Sequence, residues 1–264
     1  MPGISARDVQ SLRQLTGAGM LDAKRALEAS EGDMDAGARW LREHGLAESS
    51  KRESREASEG AIAVAKGDGV AAIVELCCET DFVAKSLEFI DVATDIAEGV
   101  VQRGDEAVSQ AQVALERLTT TLKENIAVGR VHRLEAKEGQ VLDTYLHQQA
   151  GRGVNAVAVV LSGGTPDIAH EVVLTAAFAR PTYVRREDVP KEEVDAERQS
   201  LESLTRNEGK PEAAIAKIVE GRLNGWFKQR VLLEQPSAHD EKTSVARMLG
   251  DAEVVAFAQV VVGH

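Results

Sequence analysis

Residues 60–78 have the sequence GAIAVAKGDGVAAIVELCC, and this segment determines how the core is built. Two β-compatible apolar runs flank the turn sequence Gly67-Asp68-Gly69, a pattern typical of two antiparallel strands joined by a tight turn. After Thr80 the apolar residues return to helical spacing and continue to Val101. The segment therefore predicts a β-hairpin followed by a helix.

The same order of patterns recurs further along the chain. A strand-like run at 140–147 is followed by a glycine-containing loop at 148–153, a second run at 154–161 and a helical pattern at 167–179. The patterns match although the residues hardly do, so we interpret the core as a duplicated hairpin-plus-helix unit. The first half spans 60–139, and the second spans 140–189 and 229–264, because the β-branched tail is expected to return to the second sheet.

Three further segments complete the predicted α+β architecture. Residues 1–45 show three short bursts of apolar residues at helical spacing, which predicts a three-helix domain. Residues 46–59 are rich in serine and mixed charge, and we interpret them as a charged linker or exposed helical connector. Residues 190–228 fit two antiparallel helices whose tip is Gly209-Lys210-Pro211, since glycine ends helices and proline is tolerated in a first turn.

Composition excludes several classes of protein. The 264 residues are 43% apolar and carry a formal charge of −12, which favours a globular chain and disfavours binding to a phosphate backbone. No apolar run is long enough to span a membrane. The only two cysteines are adjacent, Cys77 and Cys78, so we expect free thiols in the reducing cytoplasm.

Motifs for nucleotide, metal or cofactor binding are missing from the sequence. No phosphate-binding loop occurs, and Gly17-Ala18-Gly19 follows a helical pattern and lacks a third glycine. The six histidines include no pair at zinc-ligand spacing. We therefore expect no cofactor, no metal and no enzymatic activity, although a cysteine nucleophile with a distant histidine stays open.

The sequence Thr80-Asp81-Phe82-Val83 has two interpretations. Threonine is a good N-cap, so a β-run here ends by presenting a carboxylate and a large aromatic ring in a first helical turn. In the simpler interpretation, Asp81 complements the helix dipole and Phe82 packs into the core. In the other, both residues act on a partner.

Several segments, in order along nearly the whole chain, resemble the translation elongation factor Ts family, the guanine nucleotide exchange factors for the GTPase elongation factor Tu. They are Leu12-Arg-Gln-Leu-Thr-Gly-Ala-Gly-Met-Leu-Asp-Ala-Lys-Arg-Ala-Leu27, Glu75-Leu-Cys-Cys-Glu-Thr-Asp-Phe-Val-Ala-Lys85, Tyr145-Leu-His147, Gly209-Lys-Pro-Glu212, Ile218-Val-Glu-Gly-Arg-Leu223 and Leu232-Leu-Glu-Gln-Pro236. The resemblance implies that 1–45 is a ubiquitin-associated-like domain and that 190–228 is a protruding coiled-coil hairpin.

The resemblance also implies a partner and the residues that meet it. Elongation factor Tu in its GDP-bound form would be the partner, and Thr80, Asp81, Phe82 and Val83 would disturb its magnesium site and promote GDP release. The second core half would contact the partner through His147. The N-terminal domain would contact it through Leu12, Arg13, Thr16, Gly17, Ala18, Gly19 and Met20.

The chain departs from the family pattern at three places, and two other functions stay open. Cys77 stands where the family usually has asparagine, Lys123 stands where a glycine precedes a Glu-Asn pair, and 148–151 alters the loop after His147. An adaptor that binds a peptide or a ubiquitin-like protein is the alternative from another class, and a cysteine-dependent enzyme is a third. We expect no direct binding to nucleic acid or membrane, whereas self-association or paired complexes stay open.

Overall fold

The computed structural model describes residues 4–16, 18–50 and 55–263. These residues form eleven α-helices and six β-strands arranged as three N-terminal helices and two separate antiparallel sheets, which confirms the α+β class. Within the described ranges, no helix combines the length and apolar character needed to cross a membrane.

The first three helices form a small N-terminal unit. Their bounds are α1, Ala6–Thr16, α2, Met20–Ala29, and α3, Met34–Ser50. Leu12 and Leu27 are completely buried between them, as the helical spacing of apolar residues requires. Helix α3 continues into the segment expected to connect this unit to the core, while positions 51–54 of that segment lie outside the described residues.

The first sheet contains the predicted hairpin. Its strands are β1, Glu59–Gly67, β2, Val70–Cys78, and β3, Ala127–Glu135, in the order β1-β2-β3. Gly67 pairs with Val70 across the two-residue turn, and Gly69 has a φ of 67°, a left-handed conformation that glycine adopts without steric cost. The turn residues thereby fix the register of β1 against β2.

Four helices lie on one side of this sheet. They are α4, Asp81–Ala84, α5, Leu87–Arg103, α6, Glu106–Gln110, and α7, Gln112–Leu122. Phe89, Ile96 and Val100 of α5 are buried against alternate residues of β2, including Val74 and Leu76. This face is the core of the first half.

The second sheet repeats the arrangement with β4, Gln140–Gln149, β5, Arg152–Ser162, and β6, Glu253–Val261, in the order β4-β5-β6. The loop expected at 148–153 is shorter than the sequence indicated, because β4 and β5 stay paired up to a two-residue turn at Ala150 and Gly151. Both turn residues have positive φ, as a type I′ hairpin turn requires.

Helices α8, Pro166–Ala179, and α11, Val245–Leu249, pack on the outer face of the second sheet. The inner faces of the two sheets pack on each other through small and β-branched residues, among them Ile62, Ile73, Ala158 and Val260. The core is therefore layered as helices, sheet, sheet and helices.

The segment predicted as a helical hairpin contains α9, Lys191–Asn207, and α10, Glu212–Lys228, which pack on each other. Gly209, with a φ of 71°, and Pro211, which caps α10, lie in the connection between them. At the other end, Leu223 and Phe227 are buried together with Val189 and Val231, and this small cluster anchors the hairpin.

Polar contacts also connect the two halves. The buried carboxylate of Glu75 on β2 pairs with Arg130 on β3 at 2.7 Å, and the same guanidinium donates to the carbonyl oxygen of Val261 on β6 at 2.7 Å. Asp143 on β4 accepts from Lys66 Nζ of β1 at 3.3 Å and contacts His170 Nδ1 of α8 at 2.8 Å.

Candidate functional site

The segment Thr80–Val83, called here the Thr80–Val83 turn, starts where strand β2 ends. Thr80 has extended backbone angles and is the N-cap of α4, and its Oγ1 accepts a hydrogen bond from the Val83 backbone N–H at 3.4 Å. Ser86 closes the segment, since its Oγ donates to the Val83 carbonyl oxygen at 2.8 Å. Side chains therefore fix both ends of this short helical turn.

Phe82 points away from the core. Its side chain is 85% exposed, whereas Ala84, two residues later in the same turn, is completely buried. The interpretation of Phe82 as a core residue is therefore wrong. Leu87, at the start of α5, is also a largely exposed apolar side chain.

Asp81 carries a negative charge that already has a partner. The hydrogen bond from Lys85 Nζ, 2.5 Å from Asp81 Oδ2, holds the pKa of the Asp81 carboxyl below its usual value, and the charges of Lys85 and Arg152 act in the same direction. Because both Asp81 and Lys85 are partly exposed, a polar group of another protein can exchange for Lys85 at low cost.

A carboxylate from a distant segment holds the start of the turn. Glu124 Oε2 accepts from the backbone N–H groups of Glu79 and Thr80, both at 3.0 Å, and Glu124 Oε1 accepts from Thr80 Oγ1 at 2.5 Å. The carboxylate of Glu79 in turn accepts from the Asn125 backbone N–H at 2.7 Å. The sequence predicted no role for Glu124, although Lys123, just before it, departs from the family pattern.

The N-terminal residues named for partner binding divide into two groups. Leu12 and Ala18 are buried, and Thr16 Oγ1 donates to the Leu12 carbonyl oxygen at 2.6 Å, so these residues shape the end of α1. Arg13, Gly19 and Met20 are exposed, while Gly17 lies outside the described residues.

Three large apolar side chains of the N-terminal unit are exposed, which their helical spacing in the sequence did not indicate. Leu15 and Leu21 are 67% and 60% exposed, and Met20 is 52% exposed. All three lie at or near the connection between α1 and α2. Large apolar side chains exposed in one region of a protein are candidates for contact with another protein.

The N-terminal unit and the Thr80–Val83 turn both contact the segment that contains Lys123 and Glu124. Lys123 Nζ lies 2.6 Å from Asp22 Oδ2 of α2, and the next residue, Glu124, binds Thr80. Lys123 has a φ of 61° at the C-cap of α7, a left-handed conformation that explains why glycine suits this position.

His147 lies in the other half of the core. It is exposed on β4, where it pairs with Asn155 just before a register shift in the β4–β5 ladder. Beyond the following turn, Arg152 donates to the Gly60 carbonyl oxygen at 2.6 Å and to Glu59 Oε2 at 2.8 Å. This end of the second hairpin therefore contacts the start of β1.

The two cysteines have the properties of packed thiols. Cys78 is fully buried and Cys77 half-buried. Burial raises the pKa of Cys77 to about 11 and that of Cys78 to about 12, with further increases from the charges of Glu75 and Glu124 respectively. Both are neutral thiols near pH 7, which disfavours a nucleophilic role. Among the residues that the structure describes, no cluster of three His, Cys, Asp or Glu side chains has metal-binding geometry.

Comparison with known proteins identifies the family. The family profile described as "Elongation factor TS" matches residues 79–264, which include the Thr80–Val83 turn, Glu124 and His147. The chain belongs to the elongation factor Ts family. Elongation factor Ts of Kineococcus radiotolerans is 42% identical to it, with 96% of each chain covered.

Two further relatives show that the similarity extends over the whole length. Elongation factor Ts of Clavibacter sepedonicus is 40% identical with all of both chains covered, and that of Mycobacterium ulcerans is 42% identical over 96% of this chain and 95% of its own. Membership of the elongation factor Ts family places the chain among the elongation factors of protein biosynthesis, in a family associated with nucleotide exchange.

Proposed function

We propose that the chain is a guanine nucleotide exchange factor that binds GDP-bound elongation factor Tu and promotes GDP release during translation elongation. Membership of the elongation factor Ts family supports the partner and the general role. The observation that carries the mechanism is the outward-facing Phe82 ring, held on a turn whose two ends are fixed by hydrogen bonds.

In the proposed mechanism, the Thr80–Val83 turn approaches the magnesium site of the GTPase. A GTPase holds the β-phosphate of GDP through loop amides and a magnesium ion, so displacing the surroundings of that ion removes charge compensation from the nucleotide. Phe82 acts as an apolar wedge, and Asp81 competes for polar groups near the ion after exchanging its contact with Lys85.

The remaining contacts hold the two proteins together. The exposed side chains of Leu15, Met20 and Leu21, with Arg13 nearby in sequence, bind the nucleotide-binding domain of the partner, and His147 contacts a different partner domain. Leu12 and Ala18 lie buried inside the N-terminal unit.

Exchange by this route follows from linkage between two binding equilibria. If the chain weakens GDP binding by some factor, GDP weakens binding of the chain by the same factor. Either nucleotide can then resolve the complex, so the chain needs no covalent step, no cofactor and no nucleotide of its own. We place this activity in the cytoplasm, where translation factors work.

The test is release of a fluorescent GDP analogue from the cognate elongation factor Tu, followed by stopped flow with increasing amounts of the chain. We expect the release rate to rise and then saturate. Stable binding without any acceleration would refute the exchange function and favour an adaptor. Calorimetry of the isolated chain with GDP is the second measurement, and micromolar or tighter binding would contradict the proposed division of labour.

A further inference from the structure

We propose that Glu124 is a positioning residue for nucleotide exchange, which acts by fixing the Thr80–Val83 turn and thereby the direction of the Phe82 ring. This inference rests on the proposed function, because it assigns a role to Glu124 in the action of Phe82. It goes beyond that function by placing part of the exchange machinery outside the turn, in the connection between α7 and β3.

The first argument is the number of donors that meet at one carboxylate. Two backbone N–H groups and one hydroxyl converge on Glu124, all within 3.0 Å. An ionised carboxylate only accepts hydrogen bonds, so all three donors are satisfied at once by a group that cannot be replaced by a shorter or apolar side chain. These donors belong to Glu79 and Thr80, the residues that join β2 to α4.

The second argument concerns the hydroxyl of Thr80. Because Glu124 is a pure acceptor, the Thr80 hydroxyl must point its hydrogen at Glu124. An oxygen lone pair is then left to accept from the Val83 N–H, which is the capping bond of α4. Glu124 thus selects the rotamer in which Thr80 caps the turn. Phe82 lies between Thr80 and Val83, the two residues that the capping bond joins.

The third argument is that the connection carrying Glu124 is itself held in place. The Asn125 backbone N–H donates to Glu79, and the Asn125 side chain donates to the Arg55 carbonyl oxygen at 2.8 Å. Glu79 and Glu124 therefore each accept from the backbone of the other's segment. This reciprocal arrangement holds the start of α4 at a defined distance from the end of α7.

The experiment combines two substitutions in the full-length chain, Glu124→Ala and Phe82→Ala, each alone and together. Maximal GDP-release rate and half-saturating concentration are measured by stopped flow. We expect Glu124→Ala to lower the maximal rate by about tenfold while changing the half-saturating concentration much less. In the Phe82→Ala background, Glu124→Ala should change the rate by less than about twofold, since the group it positions is gone.

Three further variants and one measurement separate positioning from general destabilisation. Glu116→Ala is the matched control, because it removes a carboxylate of α7 whose hydrogen bond, among the described residues, stays within its own helix, to Gln112 at 3.2 Å; its rate should equal that of the wild type. Glu124→Gln keeps side-chain length and one acceptor oxygen, so it should recover part of the loss and serves if Glu124→Ala does not fold. Thr80→Val, which keeps the shape but not the hydroxyl, should resemble Glu124→Ala. Hydrogen exchange of the Glu79 and Thr80 amides in the free chain should be faster in Glu124→Ala.

The outcomes distinguish the inference from the function it rests on. If Phe82→Ala slows GDP release but Glu124→Ala does not, the positioning role is refuted and the exchange function stands. An equal loss from Glu124→Ala in both backgrounds refutes it too, because the residue then acts independently of the Phe82 ring. If wild type accelerates release but Phe82→Ala equals it, the role of the Thr80–Val83 turn is refuted, and the positioning role with it.

Discussion

The two halves of the core begin a helix with the same local structure and use it differently. In the first half the sequence is Thr80-Asp-Phe-Val-Ala84, and in the second it is Thr165-Pro-Asp-Ile-Ala169. Each threonine caps its helix by accepting from the backbone N–H three residues later, at 3.4 Å in one and 3.3 Å in the other. Ala84 and Ala169 are both completely buried.

The difference lies in the residue that faces solvent. Asp167 and Phe82 occupy the same position of the turn, and both are exposed. An acidic residue suits an exposed first helical turn, whereas a phenylalanine there gains nothing from folding. The threonine and the alanine are therefore what the fold requires, and the aromatic ring is free for a function.

The largest expected effect tests whether, in the first half, Phe89 is a core residue and Phe82 a surface residue. Phe89 is completely buried in the core, unlike Phe82. We expect Phe89→Ala to lower the free energy of unfolding by about 3–5 kcal/mol, since it leaves a cavity. Urea unfolding followed by circular dichroism measures this. A smaller loss than that caused by Phe82→Ala would reverse our assignment of core and surface.

The next effect concerns exchange activity. In the proposed mechanism, burial of the Phe82 ring in a partner pocket contributes about 1.5–3 kcal/mol, so Phe82→Ala should slow catalysed GDP release by about 10- to 150-fold. Its melting temperature should stay nearly unchanged. The matched control is Phe178→Ala, because Phe178 of α8 is an equally exposed phenylalanine in the other half. A similar fall in rate for both variants would show that any exposed aromatic ring serves, and the comparison between halves would fail.

The two capping threonines provide a smaller effect. Thr80→Ala and Thr165→Ala should each cost about 0.5–2 kcal/mol of unfolding free energy through loss of the cap. Only Thr80→Ala should also slow GDP release, because Thr80 additionally donates to Glu124 beside Phe82. Thermal unfolding and stopped flow on both variants decide this. Slower release by Thr165→Ala at full folding would contradict the functional difference between the caps.

The smallest effect concerns the polar contact between the halves at Asp143. Burial alone would raise the pKa of Asp143, but hydrogen bonds from His170, the Thr144 backbone and Lys66 outweigh it and hold that pKa below its usual value. A lowered pKa means that the stabilisation is present above about pH 4 and is lost as pH falls below it.

Asp143→Asn should therefore lower the free energy of unfolding by about 1 kcal/mol or less near pH 7. The difference from wild type should shrink as pH falls below about 4 and through the lowered pKa of the folded state, because the stabilisation is lost once the carboxyl is protonated in both states. Urea midpoints at several pH values measure this. Lys24→Gln is the control, because Lys24 pairs with Glu28 on a single exposed helix face and should show no such trend. A constant difference across pH would mean that Asp143 acts through packing alone.

Local patterns predicted those parts of the fold that depend on neighbouring residues. Gly67-Asp68-Gly69 fixed one hairpin, and helical spacing identified the three N-terminal helices. The turn at Ala150 and Gly151 was missed because Ala150 has a positive φ, which the identity of an alanine does not signal.

The candidate site was predictable only in part, for a related reason. Thr80 and Phe82 stood out because a cap and a rare aromatic lie two positions apart in sequence. Glu124 meets Thr80 from 44 positions away, and such a contact leaves no periodicity to detect. The exposure of Leu15 and Leu21 was equally hidden, since apolar residues at helical spacing normally indicate a buried face.

The position of β6 at the edge of the second sheet has a consequence for synthesis on the ribosome. Strands β1, β2 and β3 are all translated before β4 begins, so the first sheet can form while the chain is still growing. The second sheet must wait, because the helical hairpin and α11 are made between β5 and β6. Until β6 emerges, the backbone groups of one side of β5 lack their partners, and this strand is exposed to mispairing in the nascent chain.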